Sequence, residues 1–276
     1  MPSISLNGKS CHYQDVGEGY PLLFGHSYLW TSDMWKPQLE FLSKEYRCIA
    51  PDLWSHGKSE KITQTTTIAE LSENAWQLMN LLGIREFAVI GLSVGGMWGA
   101  ELALRHPEAV KALVLMDTFV GDEPLSTQQK YFSMLDIIGS QKKFVTPLLD
   151  QIVPLFFSPT TLSQNSALVE NFRKALAAIS EEEIPGIVSI GRTIFSRKCL
   201  LERLPSLKQP TLILVGRDDI PRPPKEAREM ADRLPNAVLH IIEEAGHISN
   251  LEQPALVNAW LSNFLKTSIR GAVTTC

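Results

Sequence analysis

The stretch Gly91-Leu92-Ser93-Val94-Gly95 constrains the fold of this chain more than any other segment. Ahead of it, Glu86-Phe87-Ala88-Val89-Ile90 is a short apolar run rich in β-formers. Behind it, Val94 to His106 reads as a helix with small residues along one side. A serine lodged between a strand and a helix sits on a sharp, strained turn, which leaves room only for tiny neighbours two residues away on each side. Gly91 and Gly95 are those neighbours. The helix that follows turns its free N–H groups, and the positive end of its dipole, toward any negative charge that forms beside the serine. The five-residue match alone would recur by chance; the strand before it and the helix after it give it weight.

The rest of the chain repeats the alternation. Leu22–Phe24, Tyr46–Ala50, Phe87–Ile90, Ala112–Met116, Thr211–Val215 and Ala237–Ile242 are six candidate buried strands. Amphipathic stretches at Met34–Lys44, Thr67–Leu82, Val94–His106 and Pro224–Leu234 lie between most of them, and Pro254–Lys266 supplies a last helix. Thr67-x-x-Glu70 has the form of a capping box, and Gly83 ends the same helix. Ile4 and Leu6, the Asn7-Gly8 turn, and Cys11, Tyr13 and Asp15 form an opening hairpin. Continuously apolar strands separated by helices predict an α/β fold with a mostly parallel sheet covered on both faces.

One region breaks the rhythm. Between Thr118 and about Pro205 no strand is evident, but Gln128–Gly139, Phe144–Phe157, Leu168–Ile179 and Pro185–Phe195 read as helical. The predicted organisation is therefore a core in two parts, 1–121 and 206–276, with a helical cap, 122–205, inserted between two late strands. The insertion carries nine basic residues, from Lys130 to Arg203, matched by nine acidic ones, so it offers no obvious docking patch for an acidic carrier. The final Thr267–Cys276 reads as a loosely held tail.

Composition removes several functions. A formal charge of -4 over 276 residues gives no footprint for nucleic acid. No apolar run approaches the ~18 residues of a spanning helix. Met1–Tyr20 is polar and lacks the features of a signal peptide, and Cys11, Cys48, Cys199 and Cys276 are scattered. Reduced structural thiols in a cytoplasmic protein are the expectation. No His or Cys spacing resembles a metal site, and neither G-x-G-x-x-G nor a Walker lysine is present, so no metal and no cofactor are expected.

A serine hydroxyl needs a base to take its proton and, usually, a carboxylate to orient that base. His247, in Glu243-Glu244-Ala245-Gly246-His247 directly after the Ala237–Ile242 run, is the candidate base. Thr211–Val215 is the preceding strand, and Gly216-Arg217-Asp218-Asp219 at its end supplies two candidate acids. The order Ser, Asp, His is the order of α/β-hydrolases. Since histidine must be neutral to act as base, activity is expected to rise with an apparent pKa of roughly 6 to 7.

At this point the chain resembles the α/β-hydrolase superfamily, and within it the small-molecule serine esterases, enol-lactonases and cofactor-free perhydrolases. The similarity runs from about Ile4 to Lys266 and is weakest in the insertion, which corresponds to the family's cap. It is carried by Gly25-His26-Ser27-Tyr28 with Trp35, by Pro51-Asp52 with His56-Gly57-x-Ser59, by the serine turn, and by the Gly-x-x-Asp and Gly-His pair near the C-terminus. The resemblance implies Ser93 as nucleophile, His247 as base and Asp219, fourth in Gly-x-x-Asp, as the acid, with Asp218 bonding the loop. It also implies an oxyanion hole from the backbone N–H groups of Val94 and Tyr28. Where relatives have His-Gly, this chain has His26-Ser27, a departure that bears on the second donor. The Tyr28 phenol would then be available to the substrate.

Pocket candidates are Trp30 and Trp35, near that loop, with Phe132 and Phe156 from the insertion. His26 and His56 read as structural, and His12, His106 and His240 read as surface or end positions without an acidic partner. The implied activity is hydrolysis of a small-to-medium carboxylic ester or lactone through an acyl-enzyme on Ser93. A perhydrolase or another acyl hydrolase of the same fold is the alternative, and a slow-turnover ligand receptor is the rival from another class. A serine nucleophile does not fit the dehalogenase or epoxide hydrolase branches. Ser27-Tyr28-Leu29 does not match the longer glycine-rich loop of C–C bond hydrolases.

Overall fold

Strands with no polar face are the ones that lie inside the sheet. The computed structural model describes residues 2–269. Its strands are β1 (Ser3–Leu6), β2 (Lys9–Val16), β3 (Tyr20–Gly25), β4 (Tyr46–Pro51), β5 (Phe87–Leu92), β6 (Val110–Met116), β7 (Thr211–Gly216) and β8 (Ala237–Ile242). They form one sheet in the order β1-β2-β4-β3-β5-β6-β7-β8. Every residue of β5 and β7 is buried, whereas β8, at an edge, is mostly half-buried. From β4 to β8 all pairings are parallel, and the opening hairpin joins by antiparallel pairing of β2 with β4. The sheet is the mostly parallel α/β sheet that the alternation predicts, and the fold is the α/β-hydrolase fold that the resemblance implies.

The helices are α1 (Lys36–Leu42), α2 (Ile68–Leu81), α3 (Val94–Arg105), α4 (Leu125–Gln141), α5 (Thr146–Ile152), α6 (Pro159–Gln164), α7 (Ser166–Ala177), α8 (Ile184–Phe195), α9 (Pro224–Arg233), α10 (Ser249–Glu252) and α11 (Pro254–Ser268). α3 packs against α2 and across β3, β5 and β6, while α1 meets α11 and β4. The Thr67 hydroxyl accepts the Glu70 N–H at 3.1 Å, as a capping box requires. Two stretches expected as single helices break. Met34–Lys44 divides into a 3-10 turn at Ser32–Trp35 and α1, and Phe144–Phe157 divides into α5 and a 3-10 turn at Val153–Phe156. Pro37 and Pro154, each near the start of the second piece, lack the N–H that a continuous helix would use.

Helices α4 to α8 fill the chain between β6 and β7. α8 is laced to the sheet domain: Tyr28 Oη donates to the Ile187 carbonyl (2.8 Å), Ser189 Oγ to Gln64 (3.0 Å) and Thr193 Oγ1 to Thr66 (2.8 Å). A Cβ on Gly191 would lie 2.6 Å from Tyr28 Oη, so glycine sets how closely this helix approaches. At the C-terminus α11 runs through Ser268 and Ile269 is buried, so the expected loose tail does not begin at Thr267. Residues 270–276, with Cys276, lie outside the described residues.

His12 is not the unpartnered surface residue expected from the sequence. His12 is buried, with Nδ1 2.8 Å from Asp52 Oδ2. Antiparallel pairing of β2 with β4 carries Asp52, just past β4, alongside His12, and Asp52 N–H donates to the His12 carbonyl. Pairing between strands so far apart in the chain leaves no trace in local spacing. Asp52 also accepts the Ser32 and Lys58 N–H groups, at 2.7 and 3.0 Å. His106, likewise read as unpartnered, lies 3.3 Å from Glu73 of α2. Cys11, Cys48 and Cys199 are free thiols, and Cys199 is exposed where a structural role predicts burial.

Candidate active site

Ser93 lies between β5 and α3, as the residue that caps the helix, at φ 56°, ψ −119°, a left-handed backbone that a non-glycine residue adopts at a cost of about 1–3 kcal/mol. Neighbours hold the strain in place. Ser93 N–H donates to the Met116 carbonyl (2.9 Å), and the Ser93 carbonyl accepts from Thr118 Oγ1 (2.6 Å) and Met97 N–H (3.0 Å). A Cβ on Gly91 would collide with the Gly95 carbonyl, and one on Gly95 with the Gly25 carbonyl at the end of β3. Both glycines are therefore required by close backbone approach, as the motif demands.

His247 follows β8 on a loop whose backbone is tied to the insertion: His247 N–H donates to the Phe156 carbonyl at 3.0 Å. Its Nδ1 lies 3.1 and 3.0 Å from the two oxygens of Asp219, a side chain buried from solvent. That contact assigns the hydrogen to Nδ1 and leaves Nε2 as the acceptor. Asp219 Oδ1 also accepts the Arg222 N–H at 2.8 Å. The neighbouring Asp218 is half-buried and bonds Ala245 through its backbone N–H. Of the two aspartates, Asp219 faces the imidazole. Ser93 and His247 line one cavity, and no hydrogen bond joins their side chains among the described residues. Such contacts commonly tighten only when a substrate is bound.

Several backbone donors of the loop after β3 are already engaged. Ser27 N–H points to Met34 Sδ (3.3 Å), Leu29 N–H to His56 Nε2 (3.2 Å) and Trp30 N–H to the Ser27 carbonyl (3.2 Å). The N–H groups of Tyr28 and of Val94, first residue of α3, have no acceptor among the described residues. His26 and His56 hold this loop. His26 Nδ1 bonds the Ser27 carbonyl and its Nε2 accepts from Leu53 N–H; His56 Nδ1 bonds the Trp54 carbonyl. Burial keeps both imidazoles neutral, pushing His26 below the usual histidine range and, with His26 nearby, His56 down to about 3. The Tyr28 phenol, expected over the pocket as a partner for substrate, instead donates to Ile187, and its burial raises its pKa.

The cavity has a free volume of about 80 Å³ and is lined by Ser93, His247, Tyr28 and Arg222, with Met134, Leu135 and Ile138 of α4, Phe156, and Ile194 and Phe195 of α8. Trp30, Trp35 and Phe132 lie off it. Trp30 stacks on Phe172 (4.4 Å, 5°), and Trp35 is wholly buried beside Phe24. Tyr131, Met134, Leu135 and Ile138 form the inward stripe of α4 at helical spacing; Phe132 falls outside it, under the Arg192 guanidinium. That spacing was the available signal, and counting aromatics alone overlooks it.

Two further carboxyls escape a sequence reading. Asp117, at the end of β6, is wholly buried at φ 45°; its Oδ1 accepts the Gly216 N–H (2.8 Å) and its Oδ2 the Ser249 hydroxyl (2.6 Å). Gly216 leads into the Asp219 loop and Ser249 follows His247, so Asp117 joins the two. Burial and the neighbouring Asp219 hold the Asp117 carboxyl well above the usual range. Glu252 accepts the Gly246 N–H (2.7 Å) and the Ser158 N–H (2.8 Å), fixing the histidine loop to the insertion. An acid directly after an apolar strand was the visible clue to Asp117. Among the described residues no group of three or more His, Cys, Asp or Glu side chains could hold a metal ion. None of their helices is long and apolar enough to cross a membrane.

A family model described as alpha/beta hydrolase fold matches residues 20–254. An esterase from Thermogutta terrifontis is similar in structure, with a TM-score of 0.88 and 26% identity over 96% of this chain and 97% of that one. The enol-lactonase from Burkholderia xenovorans LB400 gives 0.87 and 26% over 96% and 100%. In sequence, the 2-hydroxymuconate semialdehyde hydrolase of Pseudomonas sp. (strain CF600) is 25% identical over 98% of this chain and 95% of its own length.

Proposed function

This chain belongs to the alpha/beta hydrolase fold family and is a hydrolase enzyme, and from that premise we propose that it cleaves a small-to-medium carboxylic ester or lactone through an acyl-enzyme on Ser93. The carrying observation is one cavity lined by a strained serine and by a histidine whose far nitrogen faces a buried aspartate.

His247 Nε2 takes the proton of Ser93 Oγ as the oxygen attacks the carbonyl carbon. The carbonyl oxygen becomes an oxyanion between the N–H groups of Val94 and Tyr28, whose lack of other partners supports this role. Collapse of the tetrahedral species breaks the bond to the alcohol oxygen, which takes the proton from His247. Water then loses a proton to His247, attacks the acyl carbon and releases the acid with Ser93 restored. Asp219 holds the imidazole with its hydrogen on Nδ1 and stabilises the imidazolium. The segment 122–205 acts as the cap, and its apolar side chains over the serine favour an uncharged, compact group there.

Hydrolysis of p-nitrophenyl esters from acetate to dodecanoate tests the reading. Wild type should turn over with an optimum at short chains, and Ser93→Ala should lose at least about 10³-fold in kcat. Undiminished turnover in the variant would overturn it. A stoichiometric burst without turnover would instead favour a ligand receptor.

A further inference from the structure

A second cleft, about 490 Å³, opens between the first turn of α2 and the segment that follows α8. Four cations line it, Arg105, Arg197, Lys198 and Arg203, against one carboxylate, Glu101. Glu101 is engaged by Arg105 (2.6 Å) and, more weakly, by Arg203 (3.4 Å). Lys198 is exposed and in no ion pair among the described residues.

Arg197 is only 7% exposed. Its Nη1 donates to Glu123 (2.9 Å) and to the Ile194 carbonyl (3.0 Å), yet Nε and Nη2 are buried without a partner. Glu123 is shared with Arg222, which donates to the same oxygen at 2.5 Å and also pairs with Glu226 at 3.5 Å, so neither carboxylate reaches the free Nε and Nη2 of Arg197. A buried cationic donor left unpaired is costly, and a planar guanidinium edge fits the two oxygens of a carboxylate or phosphate. Ile68 and Ala69, which also line the cleft, open the 14-residue helix α2. Their N–H groups have no partner among the described residues, because the Thr67 side chain satisfies only that of Glu70. The dipole of α2 adds to the field of the cations.

We propose that this cleft is an anion-binding site that takes the phosphate or carboxylate group of a small molecule between Arg197, Lys198 and the first turn of α2. Two sources share that chemistry. One is a free oxyanion; the other is the charged end of an ester held over Ser93, since Met97 borders both spaces. Only the second source rests on the function proposed above.

Titration calorimetry of inorganic phosphate into the full chain needs no hydrolysis, so it fails or succeeds independently of the esterase reading. One site per chain is expected, weakened by added NaCl and weakened about tenfold or more by Arg197→Lys and by Lys198→Glu. Lys198 is exposed, so its replacement leaves the fold intact and the test decisive even if Arg197→Lys is unstable. No saturable binding, or binding unchanged in a folded Lys198→Glu protein, would overturn the proposal. Kinetics then identify the source. If Lys198→Glu raises KM for an ester ending in a carboxylate but not for its neutral homologue, the anion belongs to the substrate. Equal KM values with phosphate binding lost assign the site to a free anion.

Discussion

At the scale of the residue, the molecule invests in holding a few groups where they would not rest alone. Ser93 keeps its left-handed backbone because three hydrogen bonds and two glycines enclose it. Asp219 keeps its carboxylate on His247 because the Arg222 N–H fixes one of its oxygens. Replacing Asp219 by Asn would present an amide to Nδ1 and favour the wrong tautomer, so ester turnover should fall by up to about 10⁴-fold. Asp218→Asn, one position away but turned from the imidazole, should stay within a few-fold; equal losses in the two variants would refute the assignment. The serine turn and the histidine were legible because glycine spacing and strand ends are local signals. Choosing between Asp218 and Asp219 from the residues alone was not, because both sit in the same loop and only the direction of each side chain separates them. Asp117 escaped because its partners, Gly216 and Ser249, are about a hundred residues away or more.

At the scale of the element, α8 joins the helices between β6 and β7 to the loops that follow β3 and β4. Its carbonyl at Ile187 receives the Tyr28 hydroxyl, and its Gly191 lets that ring approach. Tyr28→Phe removes the hydroxyl but not the backbone N–H assigned to the oxyanion. The variant should lose about 1 kcal/mol of stability, roughly 2–4 °C in Tm, with kcat within a few-fold of wild type. A collapse of kcat without a change in Tm would show that the phenol, not the amide, acts on substrate. The strands were readable because each is a continuous apolar run. Helix breaks at Pro37 and Pro154, the four-residue α10 and the inward stripe of α4 were less so, since each depends on a single turn or on the exact face presented.

At the scale of the whole molecule, buried titratable groups pull stability in opposite directions with pH. His56 is held down to about 3 against an ordinary 6.5, so between those values the unfolded chain binds more protons and stability rises with pH. Asp117 has the opposite sign. Its raised pKa means that the folded chain keeps a proton the unfolded chain releases above about 3.8, so its contribution is lost as pH rises from there. In Asp117→Asn that loss is absent, and the variant's Tm relative to wild type should climb as pH rises above about 4; a flat or falling difference would contradict the raised pKa of the buried carboxyl. Alternation of strand and helix made the parallel sheet legible, but antiparallel docking of β2 on β4, which buries His12 against Asp52, joins distant segments that no local pattern connects. The central claim is the covalent step on Ser93. Intact-protein mass spectrometry during turnover of p-nitrophenyl butyrate, with peptide mapping, measures it directly. A single butyryl adduct on Ser93, trapped by acid quenching of the wild-type enzyme during turnover and absent from Ser93→Ala, is the predicted result. Turnover with no adduct in either protein, or an adduct on another residue in an active Ser93→Ala variant, would contradict it.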